Sequence, residues 1–154
     1  MSNADRSSSC SQRDAGFRSF LRRSLAAIRA EAPAAYGRMA ELLTPREVLL
    51  AVDGESVALR FSAGDVRELS RPEHPAVEFR TSRDTILDLI DARCSLLGAA
   101  RDDRCLLRAA PGDLVAFHDG LIAYLHGAVR SFSMPELLAE FRAGDSRAIP
   151  SEVP

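Results

Sequence analysis

The chain has 154 residues, of which 46% are hydrophobic and 27% charged, with a formal net charge of −2. This length is typical of one domain with one core. The near-neutral charge and the absence of an Arg-rich run exclude the electrostatic footprint of nucleic-acid binding. All 20 basic residues are Arg, so Schiff-base catalysis and a phosphate-loop lysine are excluded as well.

Three cysteines, Cys10, Cys94 and Cys105, form neither an even set nor metal-ligand pairs. No disulfide framework, metal site or cofactor is therefore predicted, and free thiols indicate a reducing compartment. Arginines interrupt the apolar stretch from Phe17 to Ile28, which excludes a signal peptide and a membrane span. We expect a cytoplasmic protein.

Two helices are predicted near the N-terminus. Residues 1–13 are polar and predict a disordered tail, and residues 14–45 predict a helical segment that Pro33 divides in two. Apolar side chains recur at helical spacing on one face of the first helix; they are Phe17, Phe20, Leu21, Leu25 and Ile28.

Charge is uneven along the chain, with a net of +4 over residues 1–38 and −6 over the rest. Arg18, Arg22 and Arg29 fall on one flank of the first helix. One interpretation is transient contact with an anionic membrane surface. The favoured interpretation is that the helix packs its apolar face on the domain and leaves its arginines in solvent.

A β-hairpin is predicted from Val48 to Phe61, where alternation surrounds the turn dipeptide Asp53-Gly54. Its register pairs Leu50 with Val57 and Val48 with Leu59. Short strands over 66–69 and 76–80 follow, and Thr81 or Ser82 is expected to cap the next helix. The apolar stripe of that helix consists of Ile86, Leu87, Ile90, Cys94 and Leu97.

The C-terminal third predicts a strand over 105–109, a long helix from Pro111 to about Arg130 and a short last helix. The last helix begins near Ser133 and is expected to end at Gly144. Residues 144–154 predict a tail.

Three stretches carry a resemblance to a known family: VEFRTSRDTILDLID over 77–91, SLLGAA over 95–100 and RCLLRA over 104–109. Over roughly residues 46 to 130 the chain resembles the sterol carrier protein (type two) domain family, as a single-domain form of bacterial type. The resemblance implies an α+β fold over residues 46–143. In that fold about five mainly antiparallel, twisted strands are covered by helices, and residues 14–45 form an N-terminal extension.

The resemblance also concerns small residues and ligands. It leads one to expect glycine at positions 92, 103 and 109, where this chain has Ala92, Asp103 and Ala109, while Ala99 matches a small residue of the family. The family binds fatty acids, acyl thioesters and sterols. The resemblance therefore implies an elongated apolar ligand.

On the long helix, at about 100° per residue, a wide apolar arc has His118 near its middle. It comprises Leu114, Phe117, Leu121, Ile122, Tyr124, Leu125 and Val129. A stripe of small residues lies opposite, where another backbone is expected to come close; it comprises Ala116, Gly120, Ala123 and Gly127. Asp119 and His126 are expected to form a solvated surface pair.

From this arc and the preceding helix we predict the ligand-contacting residues as Ile90, Leu97, Leu114, Phe117, His118, Leu121 and Leu125. His118 has two interpretations. It is a core histidine with one satisfied hydrogen bond, or it is a polar anchor for a ligand head group in an apolar pocket.

Three functional hypotheses remain from the sequence. The first is non-catalytic binding or transfer of an elongated apolar ligand, fatty acyl or sterol-like, in a tunnel between sheet and helices. The second is a protein-interaction or regulatory domain with a filled cavity, including a homodimer. The third is a small hydrolase or isomerase acting on acyl substrates, which no recognisable nucleophile supports.

Overall fold

The computed structural model describes residues 16–146. Both predicted tails extend beyond this range, and residues 1–13 lie wholly outside it. In chain order the elements are α1 (Phe17–Glu31), α2 (Pro33–Leu43), β1 (Glu47–Val52), β2 (Glu55–Ser62), β3 (Asp65–Leu69), β4 (Val77–Thr81), α3 (Arg83–Ile90), α4 (Leu96–Arg101), β5 (Cys105–Ala109), α5 (Pro111–Arg130) and α6 (Met134–Ser146).

The five strands form one mixed sheet in the order β3-β2-β1-β4-β5. The hairpin register is confirmed, because Val48 pairs with Leu59 and Leu50 with Val57. Asp53 and Gly54 turn the hairpin at φ angles of 49° and 87°, the left-handed conformation that such a two-residue loop requires. The predicted fold class, a mainly antiparallel five-stranded sheet covered by helices, is confirmed.

One strand pair is parallel: β4 lies beside β1, with Val77 opposite Val48. The chain reaches β4 through a loop over residues 70–76. The buried carboxylate of Glu47 fixes this loop, because it accepts hydrogen bonds from the amides of Glu73 at 2.7 Å and His74 at 2.9 Å. β1 is thus paired along both edges and lies at the centre of the sheet.

Helices α1, α2 and α5 cover one face of the sheet and join it in a single apolar core. As predicted, Pro33 separates two helices, since α1 ends at Glu31 and α2 begins at Pro33. The apolar face of α1 is buried in this core, while Arg22 pairs with Glu68 of β3. The favoured interpretation of α1 is therefore the observed one, and its apolar side is not free to enter a membrane.

The helix predicted to carry a stripe from Ile86 to Leu97 is two helices, α3 and α4. Ala92 has a φ of 57° in the connection, and the hydroxyl of Ser95 starts α4 by accepting a hydrogen bond from the Gly98 amide at 3.0 Å. Asp103 also has a φ of 57°. Positions 92 and 103 thus adopt the backbone conformation that favours glycine. Ser82 caps α3 through the Thr85 amide, as predicted.

Helix α6 continues to Ser146, two residues beyond the predicted end at Gly144. Its start is tied to α1, because the side chain and amide of Ser133 donate hydrogen bonds to the carboxylate of Glu31. Ser133 therefore anchors the helix to a neighbouring element.

Candidate ligand cavity

An apolar cavity of about 100 Å³ lies between the helical layer and the sheet. No polar atom of the described residues faces this cavity, because strand alternation and helical periodicity direct aliphatic and aromatic side chains into the same space. The lining residues are Phe17, Phe20, Leu21, Leu25, Met39, Leu43, Val48, Leu50, Leu59, Phe61, Phe79, Ile86, Leu89, Ile90, Phe117, Gly120, Leu121, Tyr124 and Leu125.

One side of the cavity is less tightly closed than the others. Ile86 and Ile90 of α3 and Leu121 and Leu125 of α5 line the cavity while remaining partly accessible to solvent. The strand residues Val48, Leu59, Phe61 and Phe79 are buried. Four of the seven partly accessible lining residues thus flank the gap between α3 and α5, and the other three are Leu25 of α1, Leu50 of β1 and Tyr124 of α5.

The polar atoms nearest the cavity are already paired with each other. The Tyr124 hydroxyl donates a hydrogen bond of 2.8 Å to Ser24, whose own hydroxyl donates to the carbonyl of Leu21 at 2.9 Å. Burial of the phenol raises the pKa of Tyr124 to about 12. This pair holds α5 against α1 and presents no free polar group to a ligand.

Four of the seven predicted ligand-contacting residues line the cavity: Ile90, Phe117, Leu121 and Leu125. The structure does not bring the other three to it. Leu97 lies on α4 and is 79% exposed, and Leu114 is exposed on the outward side of α5. Leu97 lies away from the cavity because the break at Ala92 separates it from the apolar stripe of α3.

His118 is neither a core histidine nor a cavity anchor. Its side chain is 55% exposed, and its Nδ1 lies 3.3 Å from Asp119 Oδ1 at the surface. The physical reason is that α5 buries its small-residue side, so the middle of the apolar arc faces solvent. Asp119 and His126 are both exposed, but the side chain that Asp119 contacts is His118 and not His126.

The sequence-based site omitted the contributions of α1, α2 and the sheet. The inward faces of the hairpin and of α1 were visible as apolar periodicity, but periodicity alone does not show that two such faces leave a space between them. Met39 and Leu43 also line the cavity, and they were expected only to continue a helix pattern.

A second cavity of about 230 Å³ lies between α1 and strands β2 and β3. It shares Leu21, Leu25 and Leu59 with the first cavity, so these three side chains form the wall between the two. Arg22 and Arg29 lie on its rim. Arg29 contacts Asp65 at 3.5 Å and places its guanidinium 5.5 Å from the centre of the Tyr36 ring.

Two further observations concern residues 16–146 only. None of the helices described there is long and apolar enough to cross a membrane. Nor does this part of the chain contain a group of three His, Cys, Asp or Glu side chains able to hold a metal ion.

No family model and no curated protein matches the chain. Among solved structures it is similar to a crystal structure of sterol carrier protein 2, with a TM-score of 0.49 and 14% identity over 70% of this chain and 94% of that one. Sterol carrier protein 2 from Yarrowia lipolytica, in its apo form, has a TM-score of 0.47 and 12% identity, over 66% and 88%. The ubiquinone synthesis protein UbiJ-SCP2 has a TM-score of 0.47 and 14% identity, over 64% and 96%. All three carry the name of the family that residues 46–130 resemble.

Proposed function

We propose that the protein binds an elongated apolar ligand, fatty acyl or sterol-like, without chemically transforming it. The observation that supports this proposal is the cavity between sheet and helices, whose lining exposes only apolar atoms. A dry apolar cavity is a favourable site for hydrocarbon and an unfavourable one for water. It also offers no polar group that could act as a nucleophile or general base.

The size of the cavity determines how much of such a ligand fits inside. An apolar cavity of roughly 150 Å³ holds a benzene-sized molecule, and drug-sized sites begin at roughly 300 Å³. The cavity of about 100 Å³ thus takes only part of an acyl chain. Displacement of the shared leucine wall joins it to the second cavity, and the combined space reaches the lower end of that range.

In the joined space, the polar end of the ligand lies toward α1. Arg29 is on the rim of the second cavity, where its guanidinium meets a carboxylate head group that follows an apolar chain through the wall of Leu21, Leu25 and Leu59. A fatty acid fits this arrangement better than a neutral sterol. Loading and unloading take place through the less tightly closed side between α3 and α5.

We also propose a compartment. Cys94 and Cys105 are free and half-buried, and burial raises the pKa of the Cys105 thiol. Free thiols are typical of a reducing compartment, so the compartment that we propose is the cytoplasm.

The test is displacement of an environment-sensitive fluorescent fatty acid from wild type and Leu121→Trp. The larger ring fills space that the ligand needs, so affinity should fall at least tenfold, while the free energy of unfolding changes by less than about 1 kcal/mol. The matched control is Ala139→Trp at an exposed position of α6, which should bind as wild type does.

A second variant separates the head group from the chain. Arg29→Gln should weaken binding of a fatty acid and leave binding of its methyl ester unchanged. A wild-type protein that never binds the probe, together with strong destabilisation by Leu121→Trp, would overturn the proposal, because that pair of results means the cavity is closed and tightly packed.

A further inference from the structure

The outward face of α5 carries a second apolar pattern, which shares Leu125 alone with the cavity. Val115, Ile122 and Val129 recur every seven residues, and His118, Leu125 and Phe132 follow each of them by three. This is the a and d spacing of a two-stranded coiled coil, with β-branched residues at every a position. We call these six residues the α5 seam.

The seam is exposed despite its composition. Val129 is 86% exposed, Val115 61% and Ile122 40%, and Phe132, just past the helix end, is 84% exposed. From Val115 to Val129 the seam runs about 21 Å along the helix. Within residues 16–146, five of its six residues are exposed and Leu125 is half-buried. A contiguous apolar strip on a rigid element is typical of an interaction surface.

The opposite face of α5 holds the helix in place. A Cβ atom at Gly127 would lie 2.6 Å from Ile28 Cγ2 and 3.2 Å from Ala35 Cβ, and one at Gly120 would lie 2.5 Å from Leu43 Cδ1. Helices α1 and α2 therefore approach α5 as closely as glycine permits. The seam is presented by a preformed helix, so binding to it carries little ordering cost.

We propose that the α5 seam joins two copies of this chain, with the two α5 helices antiparallel about a two-fold axis. In an antiparallel pair each a position packs beside a d position of the other helix. Each layer of the interface contains one residue from each copy, and the two-fold axis determines the pairs. Ile122 packs beside Leu125, Val129 beside His118, and Val115 beside Phe132 of the second copy. Each of these layers occurs twice, which gives a closed, self-complementary interface.

Polar complementarity favours the second copy over another occupant. Asp119 and His126 both fall at position e beside the seam, and e positions face each other in an antiparallel pair. Asp119 of one copy therefore meets His126 of the other, twice per dimer, and the imidazole N–H donates to the carboxylate. A parallel pair would instead place His118 against His118, leave Asp119 beside Leu114 and leave His126 beside Leu121.

The first experiment is sedimentation velocity of the full chain over about two decades of micromolar concentration. Wild type should be a dimer in the upper part of this range, and Val129→Glu should be a monomer throughout. The control is Leu106→Glu, which places the same charge at a 50% exposed leucine on β5, away from the seam, and should dimerise as wild type does. Circular dichroism checks that Val129→Glu is folded, which the exposure of Val129 leads us to expect.

The second experiment tests the antiparallel arrangement. Asp119→Arg places like charges or donors opposite His126 and should weaken dimerisation roughly threefold to tenfold. The swap Asp119→Arg with His126→Asp restores opposite charges and should recover the wild-type dimer.

Three outcomes would overturn the proposal. Wild type that is monomeric at every concentration leaves the seam to another occupant, such as residues 147–154 of the same chain or a different protein. A dimer that persists in Val129→Glu has its interface elsewhere. A dimer that the charge swap fails to recover is not antiparallel. None of these outcomes depends on ligand binding, so the cavity proposal is tested separately.

Discussion

The two faces of α5 carry different kinds of residue, and the face with the small residues is the buried one. The face with Gly120, Ala123 and Gly127 is packed against α1 and α2, while the more hydrophobic face with Val115, Ile122 and Val129 is in solvent. Hydrophobicity alone predicts that Val115, Ile122 and Val129 are buried and that the small residues face solvent. The difference shows that the distance between helix axes decided the packing: helices that cross this closely need small residues at the contact, and the larger apolar side chains then face outward.

The largest expected effect is at Gly127. Gly127→Val should lower the free energy of unfolding by about 3 kcal/mol, because its new Cβ would meet Ala35 Cβ, an atom fixed to the backbone of α2. Chemical denaturation measures the change. The control on the other face, Val129→Ala, should change stability by less than about 0.5 kcal/mol at a protein concentration at which the chain is monomeric, and equal effects at the two positions would contradict the comparison.

A slightly smaller effect is expected at high pH from Tyr124, which joins the packed face to α1. Burial raises the pKa of Tyr124 from the ordinary 10.0 of a tyrosine to about 12, so the folded state holds this proton more tightly than the unfolded state. Its contribution is complete below pH 10 and is lost as the pH rises through 12, a decrease of roughly 2 to 3 kcal/mol.

Chemical denaturation at pH values from about 9 to 12, where tyrosine ionises, measures this loss. The substitution Tyr124→Phe should largely abolish the pH dependence. Tyr36→Phe is the control, since burial also raises the pKa of Tyr36 but by a smaller amount. A wild-type curve that is flat over this range would show that the phenol is accessible to solvent.

The smallest effect is expected at Gly120, on the same packed face. A new Cβ there would meet Leu43 Cδ1 and Cγ, and Leu43 lines the cavity, so its side chain can rotate into open space. The helix propensity gained by Gly120→Ala, about 1 kcal/mol, offsets most of the clash. We expect a net loss of about 1 kcal/mol or less, together with weaker ligand binding, because Leu43 then occupies the cavity. Unchanged binding of the fluorescent fatty acid would show that Leu43 moves elsewhere.

Much of the fold could be predicted from the sequence where local signals were strong. Asp53-Gly54 predicted the hairpin and its register, Pro33 the break between two helices, and Ser82 a cap. Alanine itself gives no local signal for a positive φ, so the break at Ala92 was indicated only by the glycine that the family resemblance leads one to expect there. This break divided one expected helix in two.

The candidate site was predicted only on the elements whose inward faces were recognised. Ile90, Phe117, Leu121 and Leu125 line the cavity, whereas Leu114 and His118 were placed there because the apolar arc of α5 was assumed to face inward. The orientation of α5 depends on the close approach of α2, which is a tertiary contact. The sequence signal for this orientation was the small-residue stripe at Gly120 and Gly127. This stripe, and not the more hydrophobic arc, marks the buried face of α5.

The position of β1 between β2 and β4 also has a consequence for the order of folding. The β1–β2 hairpin closes through two residues, whereas the parallel pairing of Val48 with Val77 requires the chain to return across β3 and the loop held by Glu47. Short loops close at lower entropic cost than long ones, so we expect the hairpin to form early and β4 to dock on it later. The cavity has β1 and β4 among its walls, and it therefore takes shape only in the last stage of folding.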